Sequence, residues 1–339
     1  MESSNSNSLY LFTIKNHSMT HTPLVTVFTL TYRKFDNIFA NIDSVLSQTY
    51  GNIELIISDD GSGNFPEHEI RNYIEQHKNA NIRNVIVIAN KENVGIVKHS
   101  NNVFKRGHGE VFVPLAQDDL FYSSDAVDRI MQRFIDQPFN VLVTSRYGVN
   151  EKGEFKRFWP HVKARSVIEK MTVREMFCAL TEGRTLDFAS GSVMCYNASF
   201  FREMGAFDEK YRLWEDCPFL HKCLLLGYKI DTAYDIVSIR YEQTDGISNL
   251  SSSSSIMKKD LLLYVNTDLK QTMNGYGFFH HRTILFTILN KKSKNIVWRF
   301  FLSILFFDVK VREMILCSDL YWRWGEYDAK EALKIQQKG

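Results

Sequence analysis

The chain has 339 residues, of which 44% are hydrophobic and 24% charged, enough for a sizeable folded core organised as one large domain or two. Its 41 basic and 39 acidic side chains leave a formal net charge of +2, which gives no electrostatic reason to expect a nucleic-acid partner. Five cysteines without a C-x-x-C pair argue for reduced thiols in a cytoplasmic protein and against a disulfide framework or a zinc site.

Residues 1–22 are serine- and asparagine-rich without period, and are expected to be a disordered tail rather than a signal peptide. No run of about 18 apolar residues predicts a membrane span. The longest candidate, IVWRFFLSILFF at 296–307, is interrupted by Arg299. LVTVFTL (24–30) is a β-branched run typical of a buried strand. It is followed by FDNIFANIDSVLSQ (35–48), with Ile38, Ile42, Val45 and Leu46 at helical spacing. NIELIISDDGSGN (52–64) reads as a strand stopped by carboxylates and glycine, EHEIRNYIEQHK (67–78) as a helix, and NVIVIAN (84–90) as a third strand. IVKHSNNVFKRG (96–107) predicts a helix and EVFVPLA (110–116) a fourth strand. Beyond 140 the alternation is less regular. VLVTSRYGV (141–149) is a candidate strand, and 151–170 is basic and aromatic without a clear period. MTVREMFCAL (171–180) is helical, LDFASGSVMCY (186–196) a glycine-broken strand and WEDCPFLHKCLLLG (214–227) a helix. YKIDTAYDIVSIRY (228–241) reads as one or two strands, and residues from about 258 as mostly helical.

Strand–helix alternation predicts an α/β fold with a parallel sheet and helices on both faces. In such sheets ligands sit beyond the carboxyl ends of the strands. That rule selects the loops Thr29–Arg33, Asp59–Gly63, Asn90–Lys98 and Gln117–Asp119, three of which carry polar clusters where an apolar strand stops. The pattern points to a nucleotide-sized ligand. Asp118 and Asp119 raise a question of their own, because adjacent carboxylates repel and resist leaving water. Such a pair is either a charge cluster at a helix N-terminus or half of a site whose other half is a cation. A second pair, Glu215 and Asp216, opens the predicted helix at 214–227.

VTVFTLTYRKFDNIFANIDSVLSQTYGNIELIISDDGS (25–62), NKENVGIVKHSN, LAQDD and WEDCPF together resemble the family 2 glycosyltransferases of the GT-A fold, over roughly residues 24–245. The resemblance implies a mixed, mostly parallel sheet with helices on both faces. It divides the chain into a catalytic domain at 23–247, with a nucleotide-binding half to about 120 and an acceptor half after it. A serine-rich linker at 248–257 and a helical region at 258–339 follow. By the same resemblance Thr31, Tyr32, Asp59 and Asp60 hold the donor's base and ribose, although Leu30 and Arg33 stand where the family has Pro and Asn. Asp118 is the expected ligand of Mn²⁺ or Mg²⁺, with Asp119 near the donor sugar. Ala116 replaces the first aspartate of the family motif, and Gln117 is the candidate to take over its ribose contact. Lys98 and Arg240 are implied at the diphosphate, Gly191 and Ser192 at the acceptor. Asp216 is implied as the base that deprotonates the acceptor hydroxyl, with Glu215 orienting it.

The expectation is an inverting, metal-dependent transferase of a hexose or N-acetylhexosamine. It would use a UDP-sugar donor and a lipid-diphosphate-linked or oligosaccharide acceptor in bacterial O-antigen or capsule synthesis. One rival is a nucleotidyltransferase, but TLTYRKFDN lacks the glycine-rich phosphate loop that such an enzyme uses. The other is a non-catalytic scaffold or glycan-binding member, suggested by Ala116 and Arg33. The basic aromatic region 280–324 either packs as core or lies at an anionic membrane surface. The latter is expected, on the inner face of the cytoplasmic membrane.

Overall fold

A computed structural model describes residues 22–150, 152–182, 190–242, 255–292, 295–311 and 324–336. Four parallel strands, β1 (Val25–Thr31), β2 (Ile53–Asp59), β3 (Ile82–Ala89) and β4 (Val111–Pro114), lie in the order β3-β2-β1-β4. Every residue of β2, and all but one of β1, is buried, which requires cover on both faces and explains their unbroken apolar composition. The connections are α1 (Ile38–Leu46), α2 (Glu67–His77) and α3 (Ile96–Arg106), which bury Ile38, Ile42, Val45 and Leu46, then Ile70 and Ile74, then Val97, Val103 and Phe104. The carboxylate near the start of β2, Glu54, is satisfied by Thr26 Oγ1 (2.7 Å), Asn84 Nδ2 (2.9 Å) and the His108 N–H (2.8 Å). Burial pushes its pKa up, but those donors outweigh burial and hold it below the usual value.

The sheet becomes mixed beyond β4. The short β5 (Leu120–Phe121) is followed by α4 (Ala126–Asp136), β6 (Val141–Val149) and β7 (Phe155–Trp159). Helices α5 (Val162–Ile168) and α6 (Val173–Thr181) precede β8 (Met194–Asn197) and α7 (Ala198–Glu203). Then come α8 (Asp216–Leu225) and the single long strand β9 (Asp231–Glu242). β8 is antiparallel to β4 and to β6, β6 is parallel to β9, and β9 is antiparallel to β5. The aperiodic 151–170 turns out to hold β7 and α5, each too short to show a period. Helix α4 went unassigned in the sequence, although Ala126, Val127, Ile130, Met131 and Phe134 mark one buried face. Of the predicted strand 186–196, residues 190–193 are an extended residue and a 3-10 turn (Gly191–Val193), and 186–189 lie outside the described residues.

Helix α9 (Ser255–Tyr264) begins within the predicted linker, whose residues 248–254 lie outside the described residues, as does the predicted tail up to residue 21. It runs on as a π-helical turn (Val265–Leu269), followed by α10 (Phe278–Lys292), α11 (Ile296–Leu305) and α12 (Trp324–Gln336). Helices α9 and α10 share the core of the sheet: Tyr264, Val265, Leu269, Ile284 and Ile288 belong to the same buried cluster. Buried Asp328 of α12 accepts from the backbone N–H groups of Phe158 (2.9 Å) and Val162 (2.9 Å) and pairs with His161 Nδ1 (2.6 Å). Among the described residues no helix is long and apolar enough to cross a membrane.

Candidate active site

The register Thr31↔Asp59 aligns the carboxyl ends of β1 and β2, and β4 flanks β1 on its other side, so three strand-end loops form one rim. Those loops interlock. The Tyr32 N–H donates to Gln117 Oε1 (3.0 Å), the Asp60 N–H to the Thr31 carbonyl (3.0 Å), and the Arg33 N–H to Ser62 Oγ (2.8 Å). Arg33 takes φ +62°, a left-handed position where Asn is the tolerant residue and another side chain costs about 1 kcal/mol. Buried Asp59 accepts from the Ser62 N–H (2.7 Å), Ser62 Oγ (2.5 Å) and Thr31 Oγ1 (3.2 Å). Buried Asp60 accepts from the N–H groups of Val94 (3.0 Å) and Gly95 (2.9 Å). Both carboxylates expected at the nucleotide are therefore engaged in shaping the loops. Gly61, between them and the turn, has φ +75°, and a Cβ there would stand 2.4 Å from the Glu92 carbonyl carbon.

Asp118 and Asp119 follow β4 and immediately precede β5. Asn41 of α1, which sequence reasoning missed, fastens them: its Nδ2 donates to the carbonyls of Ala116 and Asp119, each at 2.8 Å, while its Oδ1 accepts from Thr29 Oγ1 (2.9 Å). An Asn on the otherwise apolar stripe of Ile38, Ile42 and Val45 is the signal that could have revealed it. Asp118 is half-buried and Asp119 is 1% exposed, its Oδ1 without a hydrogen-bond partner. Burial, with the neighbouring Asp118 charge adding, pushes the Asp119 carboxyl up to about 8, and Arg146 opposes the shift. An orphaned buried carboxyl oxygen beside a solvent-reaching carboxylate is an oxygen-only donor set of the kind a hard divalent cation takes. The residues fit Mn²⁺ or Mg²⁺.

Arg146, in β6, is the second residue that sequence reasoning missed. Its charge opposes the rise in the pKa of Asp119 and also of Asp216, so one member of each carboxylate pair lies within electrostatic reach of the same cation. The guanidinium lies 4.8 Å over the Trp159 ring and donates through one nitrogen to Ser192 Oγ (3.0 Å). Glu215 and Asp216 stand at the start of α8, touching solvent yet enclosed by protein. Burial, with the Asp216 charge adding, pushes Glu215 up to about 8. Burial also raises Asp216, but the N–H groups of Cys217 (2.7 Å) and Gly191 (3.1 Å), with Arg146, hold it back. These donors favour the charged form at Asp216, whereas burial and the neighbouring charge favour the protonated form at Glu215. Gly191, expected at the acceptor, also lets the pair approach: a Cβ there would stand 2.9 Å from Glu215 Oε1.

The segment before this pair is held from the C-terminal helices. Buried Asp260 of α9 accepts from three successive N–H groups, Arg212 (3.0 Å), Leu213 (2.7 Å) and Trp214 (3.2 Å). Arg212 in turn reaches Asn93 Oδ1 (2.6 Å), and its carbonyl accepts from the Val97 N–H (3.2 Å). Arg240, opposite Leu120 in the β5–β9 ladder, is exposed next to the Asp118–Asp119 loop. Lys98 is on the exposed side of α3, whereas its neighbour His99 is buried against Ser58 Oγ (2.7 Å). His221 is likewise a buried, hydrogen-bonded residue, 2.7 Å from the Tyr264 hydroxyl. Thr31, Tyr32, Asp59, Asp60 and Gln117 thus share one rim; Ser192 binds Arg146, whose charge reaches Asp119 and Asp216, and Gly191 adjoins Glu215 and Asp216.

Comparison with known proteins agrees with this architecture. The profile of the family described as glycosyl transferase family 2 matches residues 26–205. An uncharacterized glycosyltransferase of Rickettsia felis is 24% identical over 231 residues, 68% of this chain and 36% of its own length. One from Rickettsia typhi is 27% identical over 60% of both chains. The chain thus spans about a third to three-fifths of the length of these relatives. Among solved structures, Staphylococcus aureus TarS 1-349 in complex with UDP-GlcNAc superposes with a TM-score of 0.57 at 18% identity, covering 79% of this chain and 72% of TarS 1-349. The mannosyltransferase PcManGT of Pyrobaculum calidifontis, in complex with GDP-Man and Mn²⁺, has a TM-score of 0.56 at 15% identity, covering 92% of this chain and 85% of its own. Both are GT-A glycosyltransferases, and the fold is theirs.

Replacing Asp260 by Ala frees three amides that it now caps. Equilibrium urea unfolding should show a loss of about 2 kcal/mol or more. An unchanged midpoint would mean that this carboxylate holds nothing in place.

Proposed function

The chain belongs to glycosyl transferase family 2, and from that premise we propose an inverting, metal-dependent transferase of a hexose or N-acetylhexosamine from a UDP-sugar. The observation that carries the reading is Arg146, whose charge acts on both Asp119 and Asp216, which supports a candidate cation ligand and a candidate base working at one site. Asp118, with Asp119 adjoining, would hold Mn²⁺ or Mg²⁺. The cation, when bound, supplies positive charge to the departing diphosphate. The loops at Thr31–Arg33 and Asp59–Gly63, with Gln117, offer the nucleotide a rigid rim. Lys98 and Arg240 are the candidate cations on the phosphate side.

Asp216 carries the negative charge of its pair and takes the proton from the acceptor hydroxyl as that oxygen attacks the anomeric carbon. A single displacement needs one base and no covalent intermediate, hence inversion. Protonated Glu215 adds no second charge to repel a nucleophile or a diphosphate. Gly191 and Ser192 border this carboxylate pair and would border the acceptor. The UDP-GlcNAc held by TarS and the GDP-Man with Mn²⁺ held by PcManGT support a nucleotide-sugar donor and a divalent metal.

For the acceptor we propose a lipid-diphosphate-linked or oligosaccharide chain of bacterial surface polysaccharide synthesis, met at the inner face of the cytoplasmic membrane. Support comes from α11. Leu302 is buried with Phe306 against Phe286 of α10, while Ile296 (81% exposed), Val297, Phe300 (69% exposed), Ile304 and Leu305 face outward beside Arg299. Such a basic, aromatic surface suits an anionic interface.

Purified protein should release UDP from at least one member of a UDP-sugar panel in the presence of Mn²⁺ or Mg²⁺. Asp216→Asn should lower kcat by about 100-fold or more with donor affinity retained, whereas Asp118→Asn should abolish metal-dependent donor binding. Full activity in both variants would defeat the assignment. Arg146→Met removes the cation that keeps the Asp216 pKa down, so the base ionises only at higher pH. The acid limb of the kcat profile should therefore move upward, and a fixed limb would show that Arg146 does not act on the base. In flotation with anionic vesicles the protein should rise with the lipid, and Phe300→Asp/Ile304→Asp should leave it at the bottom. If the double variant floats as well as the original chain, α11 is not the attachment surface.

A further inference from the structure

Outside the catalytic cleft, three side chains of different chemistry converge between the end of α6 and the start of α10. Cys178 and Glu182, four residues apart, lie on one face at the C-terminal end of α6, and His280 comes from the first turn of α10. One donor atom from each lies within 4.8 Å of the other two. His280 is 2% exposed, and its Nδ1 is buried without a hydrogen-bond partner. The nearest carboxylate oxygen, Glu182 Oε1, is 3.4 Å away. The opposite ring nitrogen, Nε2, is 3.2 Å from the Thr272 carbonyl and donates to it. That bond turns Nδ1 toward Cys178 and Glu182, the arrangement in which a carbonyl orients a metal-binding imidazole. Burial lowers the imidazole pKa, but those two side chains outweigh it and raise it to about 9, so a cation takes the place of the Nδ1 proton.

We propose that Cys178, Glu182 and His280 form a binding site for a divalent cation of the Zn²⁺ class, separate from the catalytic carboxylates. Zinc bonds of about 2.0–2.3 Å at tetrahedral angles place neighbouring donors about 3.3–3.8 Å apart, and the Nδ1–Oε1 separation lies in that range. The donor set selects the ion: a thiolate with imidazole and one carboxylate suits zinc, whereas Mg²⁺ and Mn²⁺ prefer oxygen alone. Charge closes as well, because one thiolate and one carboxylate neutralise a divalent ion in a pocket walled by the rings of Phe177 and Tyr276. Binding releases two protons to solvent, one from the Cys178 thiol and one from His280 Nδ1. Cys178 is half-buried and is the ligand nearest solvent, whereas the Glu182 side chain is 5% exposed. Sequence spacing gave no hint of this cluster because its histidine lies on a distant helix. The ion would pin α10 to α6, and so the C-terminal helices to the transferase domain.

The test uses the full chain. Zinc-supplemented protein, dialysed free of excess metal, should retain one zinc per chain by elemental analysis. Stripped protein refilled with Co²⁺ should show the near-ultraviolet thiolate-to-cobalt charge-transfer band. Cys178→Ser should lose that band, and Cys178→Ser and Glu182→Gln should each weaken zinc binding by about 100-fold in competition with a chromophoric chelator. Asp118→Asn and Asp216→Asn should leave band and affinity intact. Circular dichroism establishes that each variant is folded, and Glu182→Gln serves should the cysteine variant fail to fold. The proposal is overturned if the unmodified chain retains no zinc and gives no thiolate band, or if the band survives Cys178→Ser. Loss of the band in Asp118→Asn would equally overturn it, by assigning the ion to the catalytic cleft.

Discussion

Two carboxyl groups from separate segments, Asp119 after β4 and Asp216 at the start of α8, feel the positive charge of one guanidinium, Arg146. Burial resists the ionisation of both, and the neighbouring Asp118 charge adds to it at Asp119. Arg146 lowers this cost for both. It can do so only if it does not move. β6 is hydrogen-bonded to β9 on one side and to β7 on the other at this position, Trp159 lies under the guanidinium, and Ser192 takes one of its donors. A cation mounted in mid-sheet is a rigid reference for charges carried on loops and on a helix end.

The loops are tied to each other with the same economy of polar groups. Asp60 caps the amides of Val94 and Gly95, the adjoining Asn93 and Val97 bind Arg212, and Asp260 caps the amides that lead into Glu215. The Asp59–Gly63 rim and the Glu215–Asp216 pair are thus connected mainly through carboxylates that accept backbone N–H groups, with the Arg212–Asn93 contact between them. One link of that chain, Asp260, belongs to α9. Helix α9 therefore fixes the segment that leads into Glu215.

Those parts of the fold that rest on local patterning were legible in the sequence. β1 to β4 and α1 to α3 declared themselves by β-branched runs and helical spacing, and the strand-end rule located Asp59, Asp60, Asp118 and Asp119. The resemblance to the family supplied Glu215 and Asp216. What escaped has a common physical cause: the partners are remote in sequence. Arg146 sits in VLVTSRYGV, which reads as a strand, and nothing local says that its charge serves residues 119 and 216. Even so, a lone Arg in an apolar strand demands a counter-charge, and that demand was the available signal. Asp260 stands in a lysine-flanked stretch where an aspartate passes for a solvated helix position. The carboxylates of Asp59 and Asp60 carried the converse lesson, since a motif suited to a nucleotide also builds its own loop.

The asymmetry between Glu215 and Asp216 bears on which can act as a base. Both are enclosed and both are pushed toward protonation, so a cleft without further contacts would leave two neutral acids and no base. Two backbone N–H groups and Arg146 point at Asp216, and burial with the neighbouring charge dominates at Glu215. Donors aimed at one carboxylate favour its charged form over that of its neighbour. The surviving carboxylate still has its pKa raised above that of an aspartate in water, so it binds a proton more strongly than a solvated one would. A base needs both properties, ionisation at the start and appetite for the proton at the end. Burial provides the second, and Gly191, Cys217 and Arg146 preserve the first.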